Sequence, residues 1–152
     1  LSASAWVDGQ AYLRFEGSEA TLDDVQRRVG GEICPDSHEF WSTLREQVHP
    51  FFAGDEPLWR CAVPTLTPPL ALAGTPLVEW NGLQRWYRCA PGVAVFDACA
   101  AVGGHATLFR HAATADDVFA PLPAPLMRLH RALKREFDPA GILNAGRMYA
   151  GL

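Results

Sequence analysis

The order of strand-like and helix-like segments between residues 58 and 110 most narrows the folds open to this chain. Its clearest local signal is Asn81-Gly82, which lies between two runs rich in apolar and aromatic residues. This dipeptide is typical of a two-residue type I′ turn in a β-hairpin. A proline-rich crossover precedes the hairpin and an alanine-rich segment follows it. The segments predict a β-α-β-β-α-β order with a weak first helix: 58–63, 65–73, 77–80, 83–89, 91–102 and 105–110.

Further elements extend this unit at both ends. Apolar periodicity and turn residues predict a strand over 11–16, a helix around 22–29 that Gly30-Gly31 ends, and a short strand over 32–34. Asp36 and Glu39 have the spacing of a capping box for the next helix. In a last helix over 126–137, four apolar residues are predicted to face inward: Leu126, Leu129, Leu133 and Phe137. We therefore predict an α+β fold, a ferredoxin-like antiparallel sheet with helices mostly on one face, extended by N-terminal and C-terminal elements.

Length and composition favour a single globular domain. A chain of 152 residues with 49% hydrophobic and 20% charged residues can bury a sizeable core. The net charge of −4 does not favour nucleic acid as a partner. No apolar run reaches the roughly 18 residues of a membrane-spanning helix, and no signal-peptide pattern opens the chain. These features predict a cytoplasmic protein.

The four cysteines, Cys34, Cys61, Cys89 and Cys99, form no C-x-x-C pair. An iron–sulfur cluster or structural zinc held by this chain alone is therefore not expected, and no metal site is predicted. Buried free thiols are the predicted state of these residues.

The C-terminal segment 137–149, FDPAGILNAGRMY, presents polar groups between apolar neighbours. Pro139 ends the preceding helix, and two glycines allow sharp turns. Asn144 offers hydrogen-bond donors and an acceptor, and Arg147 can bind an anion with its planar guanidinium group. The alternatives are turn chemistry for Asn144 and a surface ion pair for Arg147.

This segment resembles the C-terminal signature DPxGILNPGR of FAD-linked oxidases of the vanillyl-alcohol-oxidase type, with Ala145 at the usual proline. Other blocks are similar to the FAD-binding subunit of glycolate oxidases: LRFEG at 13–17, FWxxLRE at 40–46, LWR at 58–60 and GHATLFR at 104–110. The resemblance implies that the chain covers the flavin and shapes a pocket for glycolate or a small D-2-hydroxy acid. It places Asn144 and Arg147 near the cofactor.

The same resemblance implies a larger assembly. FAD would be bound mainly by an N-terminal domain absent from this sequence, which begins at Leu1 rather than Met. A sister flavin subunit and an iron–sulfur subunit would be partners, at the inner face of the membrane. The isolated chain is expected to be inactive.

Two further residues are candidates for substrate binding. Arg60 follows Trp59 on a predicted strand, so the two side chains point to opposite faces and one of them is expected to be buried. A buried arginine would be a site residue or half of a core ion pair. His105 and His111 bracket another strand, about 20 Å apart, too far to share one metal ion.

The histidine segment also raises an alternative function. The related catalytic subunit carries a GDGN-containing histidine motif, whereas residues 104–111 read GHATLFRH and lack its acidic and amide residues. No catalytic residue is therefore assigned. A non-catalytic accessory subunit remains open, as does a stand-alone ferredoxin-like module that binds a small ligand.

Overall fold

The structure, a computed structural model, describes residues 1–89, 94–111 and 118–152. These residues form six strands and four α-helices: β1 Ala3–Val7, β2 Gln10–Arg14, α1 Glu19–Val29, α2 Ser37–Arg45, β3 Leu58–Ala62, β4 Leu77–Glu79, β5 Gln84–Arg88, α3 Val95–Ala100, β6 His105–Arg110 and α4 Ala124–Phe137. The strands make one antiparallel sheet in the order β2-β1-β4-β5-β3-β6. No described helix is long and apolar enough to cross a membrane.

The strands β3 to β6 interleave as a ferredoxin-like unit does. Strand β5 lies between β4 and β3, and β3 lies between β5 and β6, which is the arrangement of a split β-α-β pattern. The predicted α+β fold class is confirmed. The hairpin β1–β2 extends the sheet beyond β4.

The crossover from β3 to β4 is ordered without a helix. Residues 64–76 contain four prolines, which lack the N–H that a helix interior needs. Leu70 is buried, and Arg85 reaches the crossover from β5. The Arg85 guanidinium group donates to the carbonyl oxygens of Pro68 (2.7 Å) and Thr67. The buried arginine of this sheet is therefore Arg85.

Both faces of the sheet carry a hydrophobic core, because strands such as β3 have apolar residues on each side. On the first face, Trp59 and Cys61 pack with Val95 and Cys99 of α3. On the second face, Leu58 and Trp86 pack with Leu44 of α2 and with Phe52. The helices α2 and α3 therefore lie on opposite faces of the sheet.

The Asn81-Gly82 turn forms as predicted, but the strands stop short of it. Asn81 (φ 55°, ψ 36°) and Gly82 (φ 87°) have the left-handed conformation of a type I′ turn. The Leu83 amide donates to the Trp80 carbonyl over 3.1 Å. Trp80 also has a positive φ of 54°, so the ladder ends at the pair Glu79–Gln84 and the connection has four residues.

Some local predictions were incomplete. Strand β1 was not predicted, although Asp8-Gly9 links it to β2 with positive φ at both residues. Residues 32–34 form no strand. Asp36 precedes α2, but its side chain makes no capping hydrogen bond. The start of the predicted helix over 91–102, including Pro91, lies outside the described residues, and α3 itself covers 95–100.

The C-terminal helix α4 buries a different face from the predicted one. The four apolar residues expected to face inward are between 46% and 79% exposed. Its half-buried residues are instead Met127, His130 and Lys134, which lie on an adjacent face at helical spacing.

Candidate functional site

Part of the second face of the sheet is not covered by α2 and carries polar side chains. The helix docks on β2 and β1, where Phe40 stacks on Tyr12 with ring centroids 4.0 Å apart. Strands β3 and β6 continue the same face beyond this contact. We call its polar part the open strip, formed by Arg60, His105 and Thr107 around Ala62.

The strand register brings two predicted substrate-binding residues together in the open strip. Arg60 is paired with Trp86 on one side and Thr107 on the other, and Ala62 is paired with Gln84 and His105. His105 is therefore the diagonal neighbour of Arg60 on the same face, at a separation of roughly 7–8 Å between backbone positions. Sequence reasoning treated the two residues separately, because the pairing of β3 with β6 is a long-range contact.

Of the two consecutive residues Trp59 and Arg60, Arg60 is the one with an exposed side chain. Trp59 is buried on the first face and Arg60 is exposed on the second. The Arg60 side chain makes no hydrogen bond or ion pair with any described residue. It is therefore not half of a core ion pair, and its full set of guanidinium donors is available.

His105 is fixed at the start of β6 by the glycine before it. A Cβ atom on Gly104 would lie 2.4 Å from the Ala62 carbonyl oxygen, so only glycine lets β6 begin this close to β3. The exposed His105 side chain makes no hydrogen bond or ion pair with the described part of the chain. His111 follows the other end of the strand.

Next to the open strip is a carboxylate that sequence reasoning missed. Oε2 of Glu79 accepts hydrogen bonds from Nε1 of Trp86 (2.7 Å) and Nε2 of Gln84 (3.0 Å). Glu79 borders a cleft of about 620 Å³ between α2 and the sheet. The sequence did contain a signal for this contact, because a turn centred on the Asn-Gly dipeptide places Glu79 opposite Gln84. The cleft is also lined by Arg14, His38, Trp41 and Trp86.

The C-terminal segment is organised around Asp138. Its buried carboxylate accepts hydrogen bonds from the amides of Ile142 (3.1 Å) and Leu143 (2.9 Å) and pairs with Nζ of Lys134 at 2.6 Å. The hydrogen bond from Lys134, followed by those from the two amides, lowers the pKa of Asp138. Lys134 also donates to the Leu143 carbonyl. The FDPAGIL part of the signature is thus a C-terminal cap for α4.

Asn144 and Arg147 follow this cap on the surface. Asn144 has a positive φ of 48°, and its carbonyl accepts from the Arg147 amide at 3.1 Å. Neither side chain makes a hydrogen bond or ion pair with a described residue. Tyr149 ties the segment to the sheet, because its hydroxyl donates to the Ala120 carbonyl at 3.3 Å and residue 119 bridges to Thr107 at the β6 edge. No hydrogen bond or ion pair among the described residues links Asn144 or Arg147 to the open strip.

The cysteines are free thiols, as predicted, and three of them are buried. A hydrogen bond with Cys99, together with burial, raises the pKa of the Cys61 thiol. This thiol therefore stays protonated and unreactive at neutral pH. Within the described residues, no group of three or more histidine, cysteine or acidic side chains has the arrangement of a metal site.

A comparison with known proteins bears on this site. The chain is 39% identical, over 153 aligned residues that include all of it, to the glycolate oxidase subunit GlcE of Escherichia coli K12. The predicted resemblance is confirmed. The chain spans 42% of the length of that relative. No protein-family model matches the chain, and no solved structure matches it.

The sequence blocks that predicted the resemblance to the glycolate oxidase subunit lie on four elements of the fold. They fall at the end of β2, on α2, at the start of β3 and on β6. Their side chains reach both faces of the sheet, since Leu58 packs on the second face while Trp59 and Leu108 pack on the first.

Proposed function

We propose that this chain is the C-terminal domain of an FAD-dependent glycolate or D-2-hydroxy-acid oxidase subunit. The observation that carries this proposal is the pair of exposed, unpartnered side chains Arg60 and His105 on one sheet face of a chain similar to a glycolate oxidase subunit. In this proposal the open strip is a wall of the substrate pocket, and the chain covers the flavin.

The two side chains have complementary chemistry for a small 2-hydroxy acid. The guanidinium group of Arg60 binds the substrate carboxylate through two parallel hydrogen bonds. The imidazole of His105, one residue pair away, hydrogen-bonds the hydroxyl group at the neighbouring carbon. Together they orient the substrate, while bound FAD supplies the acceptor for its hydride.

The C-terminal segment fits a flavin in part. Asn144 and Arg147 present unpartnered amide and guanidinium donors, which suit the polar edge of a flavin ring or a phosphate. The sequence contains no glycine-rich phosphate-binding motif. We therefore assign to this chain only contacts to the exposed part of the cofactor, and assign most of its binding to an N-terminal domain outside this sequence.

The exposed apolar helices support that domain arrangement. Leu126, Leu129 and Leu133 of α4 form a stripe exposed to solvent, and no residue of α1 is buried either. Single-domain surfaces rarely leave such stripes uncovered. In our proposal, the flavin-binding domain covers them in the complete subunit.

The complete protein would work in an assembly. A sister flavin subunit and an iron–sulfur subunit would receive the electrons, and the complex would lie in the cytoplasm, peripheral to the inner face of the membrane. The isolated chain would fold without oxidising glycolate.

A second candidate is an accessory subunit that holds the complex together. It is favoured by the histidine segment, in which His105 is retained while the acidic and amide residues of the catalytic motif are missing. In that case the redox chemistry belongs to the sister subunit, and the open strip contacts a protein surface.

The test uses the full-length complex with Arg60→Ala, Asn144→Ala and Arg147→Ala, each made separately. Flavin content per subunit and glycolate-dependent dye reduction are measured side by side. We expect Arg60→Ala to retain flavin and to raise KM for glycolate by about tenfold or more, because a charge-assisted bidentate pair is lost. We expect flavin content to fall in Asn144→Ala and Arg147→Ala.

Arg128→Ala is the matched control, because it removes one exposed arginine from the polar face of α4. It should match the unmodified complex in both measurements. Normal activity and normal flavin content in all three site variants would refute the catalytic proposal and leave the accessory role.

A further inference from the structure

Two arginines meet on the second face, next to the segment that follows α2. Arg88 ends β5 and Arg110 ends β6, and both are paired with Leu58 of the strand between them. Nη1 of Arg88 and Nη1 of Arg110 donate to the same oxygen, the Phe52 carbonyl, at 3.2 Å and 3.3 Å. The two guanidinium groups are therefore held next to each other.

Each arginine has a second anchor that fixes its orientation. Nη2 of Arg88 donates to the Glu56 carbonyl at 3.0 Å, and Nη2 of Arg110 donates to Oε1 of Gln47 at 2.8 Å. Gly54 leaves room for this arrangement, because a Cβ atom there would lie 3.0 Å from Nη2 of Arg88.

An irregularity in β6 directs Arg110 to this position. The register between β3 and β6 shifts between Leu58 and Trp59, so Leu108 is paired with Trp59 and Arg110 with Leu58. Such a bulge re-aims side chains. Phe109 packs edge-on against Trp86 with ring centroids 5.0 Å apart, while Arg110 reaches Phe52.

Neither guanidinium charge is neutralised within the described residues. All four hydrogen bonds go to uncharged oxygens, and the nearby carboxylates of Asp55 and Glu56 form no ion pair with either arginine. Two adjacent positive charges repel each other. Each arginine has five N–H donors, so several remain for a ligand. In a chain with a net charge of −4, this pair is a local concentration of positive charge.

We propose that Arg88 and Arg110 form a binding site for an oxyanion, either a carboxylate or a phosphate group. A negatively charged group between the two guanidinium groups removes their repulsion and takes up their remaining donors. The site is distinct from the substrate contact assigned to Arg60, which shares none of these anchors. It does not depend on the proposed oxidase function.

The test follows the arginine side-chain Nε–H signals of the purified protein by NMR. Inorganic phosphate and acetate are titrated separately at constant ionic strength, with chloride as the balancing anion. We expect the signals of Arg88 and Arg110 to shift saturably with the same midpoint. Saturation by phosphate alone identifies a phosphate site, and saturation by acetate as well identifies a site that also takes a carboxylate.

Arg88→Lys and Arg110→Lys keep the charge but lose the planar fork of donors. Each should weaken binding by about tenfold, since one charge-assisted hydrogen-bonding partner is replaced by a poorer one. Arg128→Lys is the control and should leave the midpoint unchanged. Shifts that do not saturate, or that are equal for Arg88, Arg110 and Arg128 in the unmodified protein, would overturn the proposal even if a variant does not fold.

Discussion

The side chain of Glu79 shows how a single residue links the sheet to the cleft. Its carboxylate is the acceptor for the Trp86 indole and the Gln84 amide, both of which are buried. In Glu79→Ala these two buried donors lose their acceptor. We expect the free energy of unfolding to fall by about 1–3 kcal/mol, measured by urea denaturation.

Glu32→Ala provides the comparison for Glu79. Glu32 is exposed in a loop, and its removal should change the free energy of unfolding by less than about 0.5 kcal/mol. Equal effects of the two substitutions would mean that the hydrogen bonds of Glu79 do not stabilise the fold.

Asp138 predicts a pH dependence for the C-terminal segment. Because folding lowers its pKa, its stabilising effect is complete above the pKa of the unfolded chain and is lost as the pH falls through the lower, folded value. The amides of Ile142 and Leu143 should therefore exchange slowly with solvent at neutral pH and lose this protection in acid. Hydrogen exchange measured at several pH values checks this.

Asp138→Asn should remove most of the pH dependence of these two amides, because the asparagine side chain carries no charge to titrate. If the two amides of the unmodified protein exchange equally fast at neutral and acid pH, after correction for the intrinsic pH effect, the carboxylate does not hold the segment.

Substitutions at Gly103 and Gly104 test whether the start of β6 positions His105 in the open strip. In Gly104→Ala the new Cβ atom meets the Ala62 carbonyl at 2.4 Å, so the start of β6 must move away from β3. We expect a loss of about 2–3 kcal/mol in the free energy of unfolding and a displaced His105. Denaturation and the NMR signals of the His105 ring report these effects.

Gly103→Ala is the matched substitution one residue earlier. Gly103 has a φ of 76° and no atom within 4 Å of an added Cβ, so only backbone strain of about 1–2 kcal/mol is expected. It should leave the His105 ring signals in place. Identical ring signals in both variants would mean that Gly104 does not determine the position of His105.

Elements with strong local signals could be predicted from the sequence, and long-range pairings could not. Gly30 ends α1 as predicted, and β6 begins and ends at the predicted residues. The pairing of Arg60 with Thr107, which assembles the open strip, depends on residues that are far apart in sequence. Strand β1 was missed, and the weak helix predicted over 65–73 does not form, because the prolines of this segment lack the N–H that a helix interior needs.

At the scale of the whole molecule, the exposed stripe of α4 is where sequence and structure disagree most. The spacing of Leu126, Leu129 and Leu133 indicates a buried face, yet these residues are exposed in this chain. The disagreement is resolved if the stripe is buried against a part of the protein outside this sequence. The helical spacing of these apolar residues then reflects a contact that forms in the complete subunit.

The substitution Leu129→Glu distinguishes a stripe that is exposed to solvent from a stripe that another domain covers. In the 152-residue chain the new side chain is exposed, so the free energy of unfolding should change by less than about 0.5 kcal/mol. In the full-length subunit a buried, unpaired carboxylate should cost about 3 kcal/mol or more, with loss of bound flavin. Arg128→Glu, on the polar side of the same helix, controls for the change in charge and should be tolerated in both. A full-length Leu129→Glu subunit that is as stable as the unmodified one and retains flavin would mean that no domain covers α4, and the oxidase domain arrangement would have to be abandoned.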